Sequence, residues 1–157
     1  MITLGERGVR GRFRLKNELA GSISYLPPHQ ILAMTMTGDL YSFDLASNQL
    51  MWRYVSGYRT SEPAAAVEDN VFVITHECGV LAVSAASGQR LWPQSFEPAE
   101  HFVAATDERA YFTTNRKELV ALNAATGQPV SRLSLNLTDR AFSNTQTDRI
   151  YILTQNG

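Results

Sequence analysis

The chain repeats itself. Leu40 to Trp52 reads LYSFDLASNQLMW, Val80 to Trp92 reads VLAVSAASGQRLW, and Leu119 to Ser131 reads LVALNAATGQPVS. The copies start 40 and 39 residues apart. A second anchor, the apolar run before each copy, starts at Ile31, Val71, Ala110 and Ile150, with spacings of 40, 39 and 40. Two anchors sharing one period define a structural repeat. A unit of this size cannot bury both of its faces alone, so the units must stack and cover one another.

Each unit reads as four short strands. Strand A is SISYLP, PAAAVE, FVAATD and AFSNTQ in successive units. A polar turn such as Glu68-Asp69-Asn70 or Asp107-Glu108-Arg109 leads to strand B: ILAMTM, VFVITH, AYFTTN and IYILTQ. These are β-branched and aromatic runs of strand length without helical spacing. A turn such as Thr37-Gly38-Asp39 leads to strand C, which ends in a polar corner. Asn48, Gly88 and Gly127 stand at the middle of that corner, where a backbone needing positive φ would select them. Strand D begins with LMW, RLW or PVS. No segment reads as a helix. Four strands per unit of about 40 residues is the arithmetic of a β-propeller blade, so the fold class is all-β, a propeller of about four four-stranded blades.

The corner motif, Ala-x-Asp-x-x-Thr-Gly-x-x-x-Trp, resembles the tryptophan-docking repeat of quinoprotein-type (PQQ-like) propellers. Ser42, Asp44, Ser47, Asn48 and Trp52 occupy it in one copy. Ala82, Ser84, Ser87, Gly88 and Trp92 occupy it in the second. Ala121, Asn123, Thr126 and Gly127 occupy it in the third, where Ser131 replaces the tryptophan. The resemblance implies that Trp52 and Trp92 pack between blades, and that Asp44, Gly88 and Gly127 are structural parts of the corner. The family includes quinone-dependent dehydrogenases and non-catalytic relatives, among them an outer-membrane assembly lipoprotein. Its enzymes commonly clamp their cofactor with a vicinal disulfide. The single Cys78 cannot form one, so the resemblance implies the fold without implying quinone chemistry.

The repeats run over about 20–55, 63–97, 101–135, and 141–157 joined with 1–16, as a single domain. Met1 to Leu4 is in phase with strand C of the unit whose strands A and B lie near the C-terminus, and Val9 to Leu15 is in phase with its strand D. The N- and C-terminal strands are thus expected to share one blade. Three completions stay open: a self-closed four-bladed ring, a half-ring whose two copies close eight blades, and an interior piece of a longer propeller.

Arg10, Arg12, Arg14 and Lys16 alternate with Val9, Gly11, Phe13 and Leu15. At strand period this places four cations on one face. They read as a patch for an anionic partner or nucleic acid, or as solvated charges that block edge pairing on an outer strand. The net charge of −1 and the lack of an interleaved aromatic set favour the second reading. His76-Glu77-Cys78 could begin a metal site, but His29 and His101 fall at other phases of the repeat, and zinc needs three or four ligands. The same pair could be a nucleophile and its base; its place on a turn argues against that. No catalytic, cofactor or metal residues are assigned.

The expected function is therefore a non-enzymatic scaffold that presents loops for protein binding, with possible self-association completing the propeller. Asp39, Arg116 and Lys117 on the B–C turns join the basic stripe as candidate surface residues, and the A–B loops on the opposite face are an equal candidate. The alternatives are part of a quinone-dependent dehydrogenase, and binding of an anionic partner or nucleic acid through the Arg10–Lys16 stripe. No apolar run approaches the length of a membrane span. Met1 is not followed by the apolar core of a signal peptide, which together with one cysteine points to the cytoplasm unless a leader has been removed.

Overall fold

A computed structural model describes residues 12–136, 139–145, 147 and 149–154. Met1–Leu4, the corner Glu6-Arg7-Gly8, Arg10 and the turn Gln155–Gly157 lie outside the described residues. Everything described is strand, turn or loop. Blade one holds β1 (Ser24–Leu26), β2 (Gln30–Met34), β3 (Asp39–Asp44) and β4 (Gln49–Val55), paired in that order. Blade two holds β5 (Ala65–Val67), β6 (Asn70–Thr75) and β7 (Gly79–Ser84). Blade three holds β8 (Ala99–Ala105), β9 (Arg109–Thr114), β10 (Glu118–Asn123) and β11 (Pro129–Ser134). A hairpin of β12 (Arg140–Phe142) and β13 (Tyr151–Leu153) follows. Neighbouring strands run antiparallel throughout. This is the all-β blade architecture that the repeat predicts.

Two expected strands differ. Blade two has no continuous strand D after Gln89: only the bridges Val83↔Arg90 and Val80↔Phe96 remain. Pro93 lies between them and has no N–H to offer a ladder, so the chain leaves the sheet edge and returns at Phe96. The D strand expected over Val9–Leu15 is also missing from its described part, because residues 12–15 form no ladder. Instead Phe13 and Leu15 pack on blade one beside Ile31, Ala33, Tyr41 and Phe43. The Phe13 and Phe43 rings lie 4.1 Å apart between centroids.

The core lies between blades. Successive side chains of a strand point to opposite faces, and each B strand divides its residues accordingly. Leu32 and Met34 face blade two while Ile31 and Ala33 face away. Val71 and Val73 meet blade one while Phe72 meets blade three. Ala110 and Phe112 meet blade two while Tyr111 joins Ala141, Ile150 and Ile152 on the far side. An unbroken apolar run such as VFVIT is what a strand covered on both faces requires.

Each corner is tied by its first polar residue. Asp44 accepts the Ala46 N–H and the Ser47 hydroxyl, both at 2.8 Å. The Ala46 amide, followed by the Ser47 hydroxyl, holds the Asp44 carboxyl below its ordinary pKa. Asn123 does the same work with an amide oxygen, accepting the Ala125 and Thr126 N–H groups at 3.0 Å. Asn48, Gly88 and Gly127 have φ of 57°, 69° and 73°, as the corner sequence predicts.

Candidate functional site: the axial channel and two loop faces

Strand A of each blade lies innermost. Residues of β1, β5, β8 and β12 line one cavity of about 650 Å³. Ala64, Ala65 and Ala66 form one wall, Phe102 and Tyr25 add aromatic edges, and Glu62 and His101 stand at its rim in direct contact. Among the described residues, Glu62 is the one carboxylate lining this channel, and it is engaged by His101. A calcium ion takes six to eight oxygens, and among the described residues no group of three or more His, Cys, Asp or Glu is gathered anywhere. Both tryptophans are buried between blades and neither reaches the channel. Among the described residues, the channel does not gather the oxygen ligands that a calcium-assisted quinone cofactor would need.

Alternating strand directions send the A–B turns and C–D corners to one face of the molecule, and the B–C turns and D–A links to the other. The second face is knitted by backbone hydrogen bonds. The Thr60 N–H donates to the Met36 carbonyl at 3.2 Å, the His76 N–H to Arg59 at 2.9 Å, and the Asn115 N–H to Pro98 at 3.3 Å. Each joins a B–C turn to a D–A link. Met36, Tyr58, Arg59, His76, Glu77, Arg116 and Lys117 are exposed there. Cys78 is half-buried below them, and its thiol, hydrogen bonded to Tyr58, pushes the Tyr58 hydroxyl pKa up.

Asp39 requires a correction. It is not a surface residue of the B–C turn but the first residue of β3, only 6% exposed. The Arg53 guanidinium donates to its Oδ1 at 2.6 Å and lies over the Tyr41 ring. The same arrangement recurs in blade three, where Arg132 pairs with Glu118 at 3.3 Å and lies over Phe96. The equivalent positions in blade two are Gly79 and Pro93, where strand D is broken. The shared phase of these two acid–arginine pairs was the signal that could have identified them from sequence.

The opposite face is acidic. Glu68, Asp69, Asp107 and Glu108 occupy its A–B turns and are exposed. A hydrogen bond to Asp107, and then its charge, raises the Glu68 pKa. On the outer side, Arg12, Arg14 and Lys16 point to solvent while Phe13 and Leu15 turn inward.

The tryptophans stand at the blade boundaries. Trp52 donates its indole N–H to the Ala85 carbonyl at 2.8 Å, and Trp92 to the Ala124 carbonyl at 2.8 Å. A Cβ added to Gly88 would lie 2.6 Å from the Trp52 ring, and one added to Gly127 would lie 2.6 Å from the Trp92 ring. The sequence suggested these glycines for their φ alone. Their second role, as flat seats for the indole of the preceding blade, and the two alanine carbonyls that accept its N–H, are visible only once the blades are set together.

The profile of the family described as outer membrane protein assembly factor BamB matches residues 6–149. The chain belongs to the BamB family. Among solved structures, BamB from Moraxella catarrhalis superposes with a TM-score of 0.69 at 18% identity, covering 80% of this chain and 40% of that one. The computationally designed Ika4 protein superposes with a TM-score of 0.72 at 10% identity, covering 98% of this chain and 95% of the designed one. A quinohemoprotein alcohol dehydrogenase, ADHIIG from Pseudomonas putida HK5, gives 0.58 at 13% identity over 71% of this chain and 26% of its own. The chain thus spans less than half the length of the Moraxella BamB. At these identities the structural likenesses establish a shared propeller fold. No curated protein sequence matches the chain.

Proposed function

We propose that this BamB-family chain is a non-enzymatic scaffold that binds a protein partner through the face of B–C turns and D–A links. The observation that carries the reading is the pairing of rigidity with exposed anchors on that face. Met36 is 46% exposed and Tyr58 is 40% exposed. Both stand on backbone held by cross-links between turn and link. Aromatic, Met and Arg side chains are the types enriched in protein interfaces, and fixing them beforehand lowers the entropy lost on binding. Arg59, Arg116 and Lys117 share this face with the exposed Glu77 and Glu97, so it offers charges of both signs to a partner. The family description, an assembly factor for outer membrane proteins, supports a role in bringing proteins together.

A photo-crosslinking side chain placed at Tyr58 or Arg116, and as control at Glu108 on the opposite face, tests this in cells expressing the protein. Protein adducts are expected from the first two positions and not from the third. Adducts from Glu108 alone would assign binding to the acidic face. The dehydrogenase alternative is tested separately by titration with the quinone and calcium. Uptake of the chromophore would overturn the scaffold reading.

A further inference from the structure

We infer that the axial channel and the clefts at its two mouths form one binding site for a linear aliphatic polyamine. Its ammonium groups would sit at both mouths and its methylene carbons along the channel wall. The inference stands apart from the partner-binding reading above.

Three cavities follow one another along the axis. Strand A of each blade runs from a D–A link to an A–B turn, so its first residues stand at one face of the molecule and its last at the other. At the face of B–C turns and D–A links, Glu62, Glu97, Glu100, His76 and His101 line a cleft of about 290 Å³. Glu62 and His101 also line the channel of about 650 Å³. Toward the acidic face, Thr145 belongs both to the channel and to a cleft of about 520 Å³ that holds Glu68, Asp107 and Glu108.

Charge is segregated along this line. The whole chain is nearly balanced, with 14 Lys and Arg against 15 Asp and Glu. Yet among the described residues no lysine or arginine lines any of the three cavities, and carboxylates stand at both mouths. Glu62 is in contact with His101. Among the described residues no ion pair engages Glu97, Glu100, Glu68, Asp107 or Glu108. Lys117 and Arg140 lie with Glu100 in a separate cleft beyond His101 and temper the first mouth from outside. At the second mouth the carboxyls of Glu68 and Asp107 are close enough to hydrogen bond, so at neutral pH their charges repel. Clefts lined by one sign of charge between low-dielectric walls concentrate counter-ions.

Between the mouths the wall is mostly apolar. Pro63, Ala64, Ala65, Ala66 and Phe102 line it. This is the usual make-up of a small-molecule site, an apolar body with a few polar groups that fix orientation. A compact metal ion would be held at one mouth and would gain nothing from the wall. A chain of methylenes gains from every carbon that leaves water there, and the rings of Tyr25 and Phe102 can face an ammonium group on its way through. Glu62 and Glu68 lie on one stretch of chain that spans at most about 20 Å when extended. A short diamine therefore reaches one mouth, and a long tetraamine reaches both.

The test is calorimetric titration of the native chain with spermine, putrescine and magnesium chloride, at pH 7 and low ionic strength. Spermine is expected to bind saturably with one molecule per chain, and putrescine at least tenfold more weakly. Absence of spermine binding would overturn the inference. So would putrescine or magnesium binding as tightly as spermine, which would mean loosely held counter-ions only. Two paired variants then locate the site. Glu62→Gln with Glu97→Gln at one mouth, and Glu68→Gln with Asp107→Asn at the other, are each expected to weaken spermine binding at least fivefold. Glu18→Gln with Glu77→Gln removes the same charge away from the axis and should leave it unchanged. Equal losses in all three pairs would assign the binding to net charge and overturn the site. The comparison of the three cations uses the native chain, so it decides even where a variant does not fold.

Discussion

Trp92 in blade two donates its indole N–H to the carbonyl of Ala124 in blade three, and its ring lies flat against Gly127 of the same corner. Trp52 repeats the relationship one blade earlier with Ala85 and Gly88. The contact fixes the distance and the angle between neighbouring blades at once. The hydrogen bond sets where the indole ends, and the missing Cβ sets how closely it lies.

Trp92→Ala is expected to lower stability by about 3–5 kcal/mol, the range for removing a large buried aromatic side chain. Trp52→Ala should fall at or below the lower end, since Trp52 is 9% exposed and Trp92 is 0%. Trp92→Phe keeps most of the packing and loses the bond to Ala124, for about 1 kcal/mol. Chemical denaturation of the variants checks the order. A cost below about 1 kcal/mol for Trp92→Ala would contradict the burial.

Gly88→Ala acts twice. Its φ of 69° disfavours any side chain, and its Cβ would meet the Trp52 ring. The backbone part costs about 1–3 kcal/mol. The ring part should vanish when the ring is gone. In a double-mutant cycle with Trp52→Ala, Gly88→Ala is therefore expected to be less damaging than in the native background. Equal costs in both backgrounds would mean that the ring does not rest on this glycine.

Arg53→Ala should destabilise the protein more than Arg132→Ala. Both arginines pair with an acid at the start of strand C. The Asp39 side chain is 8% exposed and the Glu118 side chain 22%. Removing Arg53 leaves the more deeply buried carboxylate without its partner, which is the costly half of breaking such a pair. Thermal melts of the two variants at one salt concentration compare them directly.

Glu68→Gln tests the acidic face. Asp107 raises the Glu68 pKa in the folded protein, so the folded state holds this proton more tightly than the unfolded one. The stabilisation this brings is fully present below the unfolded pKa of Glu, 4.5. It is lost as pH rises through the folded value. At pH 7 the amide relieves a repulsion, and a higher Tm than that of the native chain is expected. Near pH 4 the difference should close. A variant that is less stable at pH 7 would show that Glu68 and Asp107 do not repel each other across the blade boundary.

Much of the architecture was legible because a propeller is built from local units. The period, the alternating strands and the positive φ at Asn48, Gly88 and Gly127 each depend on a few neighbouring residues, and all are written in the corner motif. The outer strand of blade two was misread because the repeat carried more weight than Pro93, whose missing N–H acts only where a ladder must form. Asp39 was misread for a related reason. Three residues of turn look alike in sequence whether their last member faces water or an arginine on the next strand.

The sequence by itself determined the blade: four short strands, their spacing, and which residues alternate toward each face, since strand period and turn chemistry are local properties. Only the tertiary structure decided what the blades do to one another. It brought Trp92 to Gly127 and Ala124, placed Arg53 on Asp39, and gathered Glu62 and His101 at the axial channel. Those are contacts between residues distant in sequence, and their geometry follows from how whole sheets stack rather than from any stretch of chain.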